Sequence, residues 1–238
     1  MTLPAQSVSA MVRTKKAVLF DLFHTLTPSE SSWSSVRPLT HQMLGVSRTA
    51  WNTQLFDCSR DRLAGIQTDP FDIIAGMARK IDANIADDTI RAATENRIAR
   101  FAEALTRITS ETRRVIQTLR QQGRKIGLIS NADVTEVMGW PQSPIADLFE
   151  STVFSCHVGH VKPEAAIYLL SLVQLGIDAS EAVFVGDGGA NELQGAKDVG
   201  ITTVFITGVM KEIWPEKIPE RQQLADFTIA QLDELISA

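Results

Sequence analysis

Five short apolar runs set the rhythm of this chain: Ala17-Val18-Leu19-Phe20, Lys125 to Ile129, Thr152-Val153-Phe154, Ala182 to Val185 and Thr203 to Ile206. Longer segments with helical periodicity lie between them, at about 111–122, 163–175 and 191–199. A run that is apolar at nearly every position has no face to give to water, so it must be covered on both sides. Strands of this kind alternating with helices predict a parallel sheet with helices on both faces. The expected fold class is therefore α/β and doubly wound.

One segment breaks the alternation. From about residue 28 to 105 no strand pattern occurs. Amphipathic patterns near 36–44, 49–63, 71–81 and 88–105 take its place, punctuated by Gly45, Gly65 and Asp69-Pro70. This predicts an all-helical insert lying over the sheet as a cap. The organisation expected is a disordered tail over 1–14, a core formed by 15–27 and 106–238, and a cap over 28–105. Linkers near 27–35 and 106–110 would act as hinges.

Composition narrows the function. Of the 238 residues, 44% are hydrophobic and 21% charged, a folded rather than a disordered chain. The net charge of -5 with no long basic stripe argues against nucleic acid and anionic membrane as partners. The two cysteines, Cys58 and Cys156, exclude a disulfide framework and a Cys-rich zinc site. They fit a reducing compartment, so a cytoplasmic location is expected. No apolar run approaches the ~18 residues a membrane span needs. Residues 1–14 lack the apolar stretch of a signal peptide. The partner expected is a small molecule, with the chain a monomer or a homodimer.

Polar residues gather where three of the runs end. The first run ends at Asp21, the second at Ser130-Asn131 and the fourth at Gly186-Asp187. In a parallel sheet these carboxyl ends lie side by side, and ligands bind there. Two carboxylates in one crevice repel and call for a cation. Aspartate oxygens suit Mg²⁺, a hard ion that also carries phosphate. A carboxylate so placed can act as a nucleophile.

These segments resemble, in order, the four motifs of the haloacid dehalogenase-like hydrolases. Val18 to Leu26 resembles the first and Leu128-Ile129-Ser130-Asn131 the second. Gly159-His160-Val161-Lys162-Pro163 resembles the third, and Val185 to Ala196 the fourth. The resemblance runs from about Lys15 to the C-terminus and implies a Rossmann-like core with a helical cap. It further implies a Mg²⁺-dependent phosphatase of a small phosphorylated metabolite, with Asp21 as nucleophile and an aspartyl-phosphate intermediate. Ser130 and Asn131 would bind the phosphoryl group, and Lys162 would hold Asp21 and offset transition-state charge. The metal would be held by Asp21, the backbone carbonyl of Phe23, Asp187 and Glu192. Glu192 stands where the family usually has Asp, and would order a metal-bound water or Lys162.

The chain departs from the family pattern at Phe23. Phosphatases of the family usually carry a second Asp there, which protonates the leaving group. Phe23 cannot, and the neighbouring His24 is the candidate substitute. A substrate with a good leaving group is a second solution. A third is the chemistry of 2-haloacid dehalogenases, whose halide leaves without a proton; Gly186-Asp187-Gly188 has the metal-binding form those enzymes do not need. A non-catalytic binding protein is the remaining alternative.

Other residues have structural readings. Ser130-Asn131 alone also suits a helix N-cap, and Glu192 the first turn of a helix. His157 and His160 read as loop residues. Trp33 and Trp51 read as cap core, Lys80 as a residue of a helical pattern, and Arg37, Arg48 and Arg60 as surface salt-bridge partners.

Overall fold

A computed structural model describes residues 7–29, 37–57 and 59–237. Six strands form one parallel sheet: β1 (Ala17–Phe20), β2 (Lys125–Ser130), β3 (Ser151–Phe154), β4 (Ala182–Gly186), β5 (Thr202–Ile206) and β6 (Phe227–Ile229). Their order is β3-β2-β1-β4-β5-β6. The five apolar runs all become strands. The sixth strand carries no such run: it sits at the sheet edge and buries only Ile229 fully, so it leaves no pattern to read in the sequence.

The strands are apolar on both faces because both are covered. Val18 and Phe20 point into one core with Leu128, Val183, Val185 and Val204. Ala17 and Leu19 point into the other with Ile129, Phe184 and Phe205. This is the two-residue alternation of a strand, and each fully buried Val, Leu, Ile or Phe is worth about 1.5–3 kcal/mol.

The segment expected to be a disordered tail is ordered from Ser7. Helix α1 (Val8–Arg13) is capped by Ser7 Oγ, which accepts from Ala10 N–H at 3.2 Å. Met11 and Val12 are buried in the first core. Two apolar side chains on one short turn leave too weak a pattern to read among polar neighbours. Residues 1–6 lie outside the described residues.

The stretch after β1 holds only helices among its described residues. They are α2 (Thr40–Met43), α3 (Arg48–Asp57), α4 (Arg60–Leu63), α5 (Pro70–Ile81) and α6 (Asp87–Thr106). The single pattern read over 49–63 is two helices. Trp33, Cys58 and most of the linker expected near 27–35 fall outside the described residues. Asp69 caps α5 by accepting from Asp72 N–H at 2.9 Å, with Pro70 in the first turn. These helices own a separate core of Leu44, Trp51, Ile73, Ile74, Met77, Ala78, Ile90 and Ala93. Where the chain leaves the sheet, at Thr27 and Pro28, and where it returns, at Thr109, it lines a single cavity.

The core then continues with α7 (Ser110–Gln121), α8 (Val134–Val137), α9 (Ser155–Val158), α10 (Ala165–Leu175), α11 (Glu192–Asp198), α12 (Met210–Ile213) and α13 (Ile218–Gln222). On α7 the buried residues Thr112, Val115, Ile116 and Leu119 keep helical spacing against the sheet.

The helical segment meets the core just beyond the carboxyl ends of β1, β2 and β3. Arg62 Nη1 lies 2.7 Å from Asp133 Oδ2, and Arg97 Nη2 lies 2.5 Å from Glu136 Oε1. Arg97 Nε also donates to Thr135 Oγ1 at 3.0 Å. Phe101 on α6 packs edge-on against Phe23, centroid to centroid 5.4 Å. No helix is long and apolar enough to cross a membrane among the described residues.

Candidate active site

β1 lies between β2 and β4, which is where the strand order reverses. Asp21, Ser130 and Asp187 therefore converge from positions far apart in the chain. Asp21 is 6% exposed, Ser130 is 0% and Asp187 is 6%.

Lys162 joins them from the loop before α10. Its Nζ is 2.5 Å from Asp21 Oδ1 and 2.5 Å from Glu192 Oε2, and 5.6 Å from the Phe184 ring centroid. Burial alone would push this ammonium down; the two carboxylates outweigh it and hold Lys162 well above its ordinary value. Asn131 fixes the lysine from behind. Its Oδ1 accepts from Lys162 N–H at 2.7 Å and its Nδ2 donates to Lys162 O at 3.0 Å. These two bonds use Oδ1 and one of the two Nδ2 hydrogens, so the Asn131 side chain braces the lysine backbone and keeps one N–H to give.

Glu192 is wholly enclosed. Besides Lys162 it accepts from Gly188 N–H through Oε1 at 2.9 Å. Tyr168 Oη holds its backbone carbonyl at 2.8 Å. Gly186 is required here: a Cβ on it would sit 2.2 Å from Glu192 Oε1. Both Glu192 oxygens are thus engaged, so of its expected roles, metal ligand, holder of a metal-bound water or holder of Lys162, the geometry matches the ordering of Lys162.

Asp187 is held by its surroundings on every side. Its Oδ1 accepts from Gly189 N–H at 2.8 Å. Its Oδ2 faces His24 Nδ1 at 3.7 Å and Arg221 Nη1 at 3.3 Å. Burial opposes its ionisation, and His24 and Arg221 overcome that to hold the carboxyl below the usual range. The other two acids go the opposite way. Burial raises Asp21, with Asp187 adding to it against Lys162. Burial also raises Glu192, with Asp21 and Asp187 adding to it.

Asp21, Asp187 and Glu192 each offer an oxygen, all within 4.8 Å of one another and all buried. The hard oxygens of Asp21 and Asp187 fit Mg²⁺, whereas those of Glu192 are taken by Lys162 and Gly188. Ser130 Oγ is buried with no hydrogen-bond partner. A hydroxyl left so costs about 1–3 kcal/mol unless a ligand takes it up.

His24 has a positive φ of 62°, and its backbone N–H is taken by Thr27 Oγ1 at 3.1 Å. Its ring stands edge-on to Trp214, centroids 5.2 Å apart. Phe23 faces the helical segment through Phe101. His157 and His160 are exposed, as is Lys80. Arg37 and Arg60 make exposed ion pairs with Glu103 and Glu164. Arg221, Trp214 and the buried arginines Arg62 and Arg97 carried no signal in the sequence, since each depends on a partner distant in the chain.

A family model described as haloacid dehalogenase-like hydrolase matches residues 15–200. A glyceraldehyde 3-phosphate phosphatase of Pyrococcus abyssi is 35% identical over 96 residues, which is 39% of this chain and 40% of that protein. The chain thus spans less than half of that curated relative. Two solved structures share the fold. A dehalogenase has TM-score 0.67 and 18% identity, covering 93% of this chain and 96% of its own. A phosphatase from Thermococcus onnurineus has TM-score 0.61 and 23% identity, covering 92% of this chain and 95% of its own.

Proposed function

The chain belongs to the haloacid dehalogenase-like hydrolases, and from that premise we propose that it is a Mg²⁺-dependent phosphatase of a small phosphorylated metabolite. The observation that carries this reading is the imbalance of buried charge. Three enclosed carboxylates, Asp21, Asp187 and Glu192, face two fixed cations, Lys162 between Asp21 and Glu192 and Arg221 beside Asp187, which leaves the cluster net negative. Buried charge of one sign demands compensation. A divalent cation would supply it through Asp21 and Asp187, with the Phe23 carbonyl completing the protein's share. When bound, Mg²⁺ keeps Asp21 ionised and takes up charge on the phosphoryl oxygens.

Asp21 attacks phosphorus through the oxygen not held by Lys162. The ester P–O bond breaks as the aspartyl-phosphate forms, and water then releases phosphate and restores the carboxylate. Ser130 Oγ donates to a phosphoryl oxygen, satisfying the hydroxyl. Lys162 aligns Asp21 and offsets the charge that develops. Asn131 and Glu192 fix Lys162 from two sides. The helical segment over 28–105 acts as a cap: the site is closed, so the cap must lift to admit substrate and close to exclude water.

The leaving oxygen needs a proton, and Phe23 has none to give. This favours substrates whose leaving group departs as a stable anion, such as acyl phosphates, or protonation by His24. The phosphatase name of the relative from Pyrococcus abyssi supports a small phosphorylated substrate. The Phe23–Phe101 contact favours a second reading, a 2-haloacid dehalogenase, because halide leaves unprotonated.

Phosphate release from p-nitrophenyl phosphate, with Mg²⁺ and with excess EDTA, run beside halide release from 2-chloropropionate, separates the two. Mg²⁺-dependent phosphate release that Asp21→Asn abolishes is the expected result. Halide release undiminished in EDTA overturns the phosphatase reading.

A further inference from the structure

Arg221 reaches the candidate site from the C-terminal part of the chain, outside the 15–200 stretch that the family model matches. Its Nη1 donates to the backbone carbonyl of Asp187 at 2.8 Å and lies 3.3 Å from Asp187 Oδ2. The same nitrogen is 3.3 Å from Met210 Sδ, and the guanidinium lies 5.9 Å from the Trp214 ring centroid. The stem of the side chain runs over Gly188, where a Cβ would meet Arg221 Cβ, Cγ and Cδ at 2.9–3.1 Å. Gly188 also has φ +78°, so a side chain there is excluded twice. The guanidinium is therefore seated by main chain, thioether and indole, and its place does not depend on the carboxylate alone.

We propose that Arg221 is a tethered cation that competes with a divalent metal ion for Asp187, and so weakens the metal site. This rests on the reading that Asp187 helps to hold Mg²⁺. A fixed positive charge in contact with a ligand oxygen repels an incoming dication, and the low dielectric of a buried site strengthens that repulsion. The same charge neutralises Asp187 when no metal is bound. Arg221 is thus a positioning residue whose removal tightens the metal, the reverse of what general damage to the site would do.

Calorimetric Mg²⁺ titration of the full chain without substrate tests this. Arg221→Met keeps most of the stem and removes the charge; it should bind Mg²⁺ at least tenfold more tightly than wild type. Arg221→Lys keeps the charge and should stay within about threefold of wild type. In EDTA, Arg221→Met should melt below wild type, and the gap should close as Mg²⁺ is added. Measurable and equal affinity in wild type and Arg221→Met, or weaker binding in Arg221→Met, overturns the inference alone. No measurable Mg²⁺ binding in any of the three proteins overturns the metal reading, and the inference with it.

Discussion

Asp133→Asn removes one charge from the buried cluster between the helical segment and the core while keeping the side chain's shape. Asp133 is 0% exposed, and its Oδ2 faces Arg62 at 2.7 Å and Arg97 at 3.8 Å, side chains that are only 7% and 4% exposed. Its Oδ1 also accepts from Thr135 N–H and Thr135 Oγ1 at 2.9 and 2.5 Å, which an Asn oxygen can preserve. Arg97 keeps Glu136. Arg62 keeps the Leu55 carbonyl, a neutral partner, so its charge is the one left short. Removing one member of a buried pair costs about 3–5 kcal/mol, and the preserved bonds place this change near the low end, about 3 kcal/mol. For a chain of this size that is a fall in Tm of about 6–12 °C. Urea unfolding at neutral pH followed by circular dichroism measures it. The acid side gives a second reading. Burial opposes ionisation of Asp133, yet Arg97 and Arg62 outweigh it and hold the carboxyl below the usual range. The folded protein therefore binds this proton less readily than the unfolded chain. The pair's stabilisation is complete above about pH 4 and is lost as pH falls through the folded value. Asp133→Asn should accordingly flatten the acid limb. A loss below about 1 kcal/mol with an unchanged acid limb would refute the assignment of this cluster as the clasp between the two parts.

Phe23→Asp should raise hydrolysis of alkyl phosphates toward the ~10²–10⁴-fold that general acids supply, with little change for p-nitrophenyl phosphate. It also forfeits the ring contact with Phe101, worth about 0.5–1.5 kcal/mol beyond buried area, so its melting point should drop by a few degrees. Gly186→Ala drives a methyl into Glu192; it should cost about 1–3 kcal/mol in urea unfolding and lower kcat more than KM, because Lys162 loses its second carboxylate.

The sheet was readable because its strands are apolar at nearly every position, and only a parallel sheet covered on both faces accommodates that. Asp21, Ser130 and Asp187 were readable because carboxyl ends of neighbouring parallel strands must converge, whereas Lys162, which reaches Asp21 from a loop, was readable only through the resemblance. Contacts decided by three-dimensional neighbours were not readable. Arg62 and Arg60 look alike in sequence, yet Arg62 meets Asp133 in the interior and Arg60 meets Glu164 at the surface. The bonds from Asn131 to the Lys162 backbone were not readable either, because the two residues lie 31 positions apart. β6 and α1 were missed for a shared reason: each buries too few side chains to imprint a period.

The helical segment leaves and rejoins the sheet at neighbouring points, with Thr27, Pro28 and Thr109 around one cavity. For the polymer, the excursion is a loop whose ends are already closed by the pairing of β1 with β2. Closure entropy rises only with the logarithm of loop length. Replacing a ten-residue turn by a loop roughly eightfold longer adds three doublings, about 1.8 kcal/mol. The excursion recovers that through its own core around Trp51, Ile73 and Ile90. The sheet thus constrains the insert at its two ends and at the Arg62–Asp133, Arg97–Glu136 and Phe101–Phe23 contacts, and leaves the rest of it free to vary. Sequence change elsewhere in the insert leaves Asp21, Lys162 and Asp187 in register.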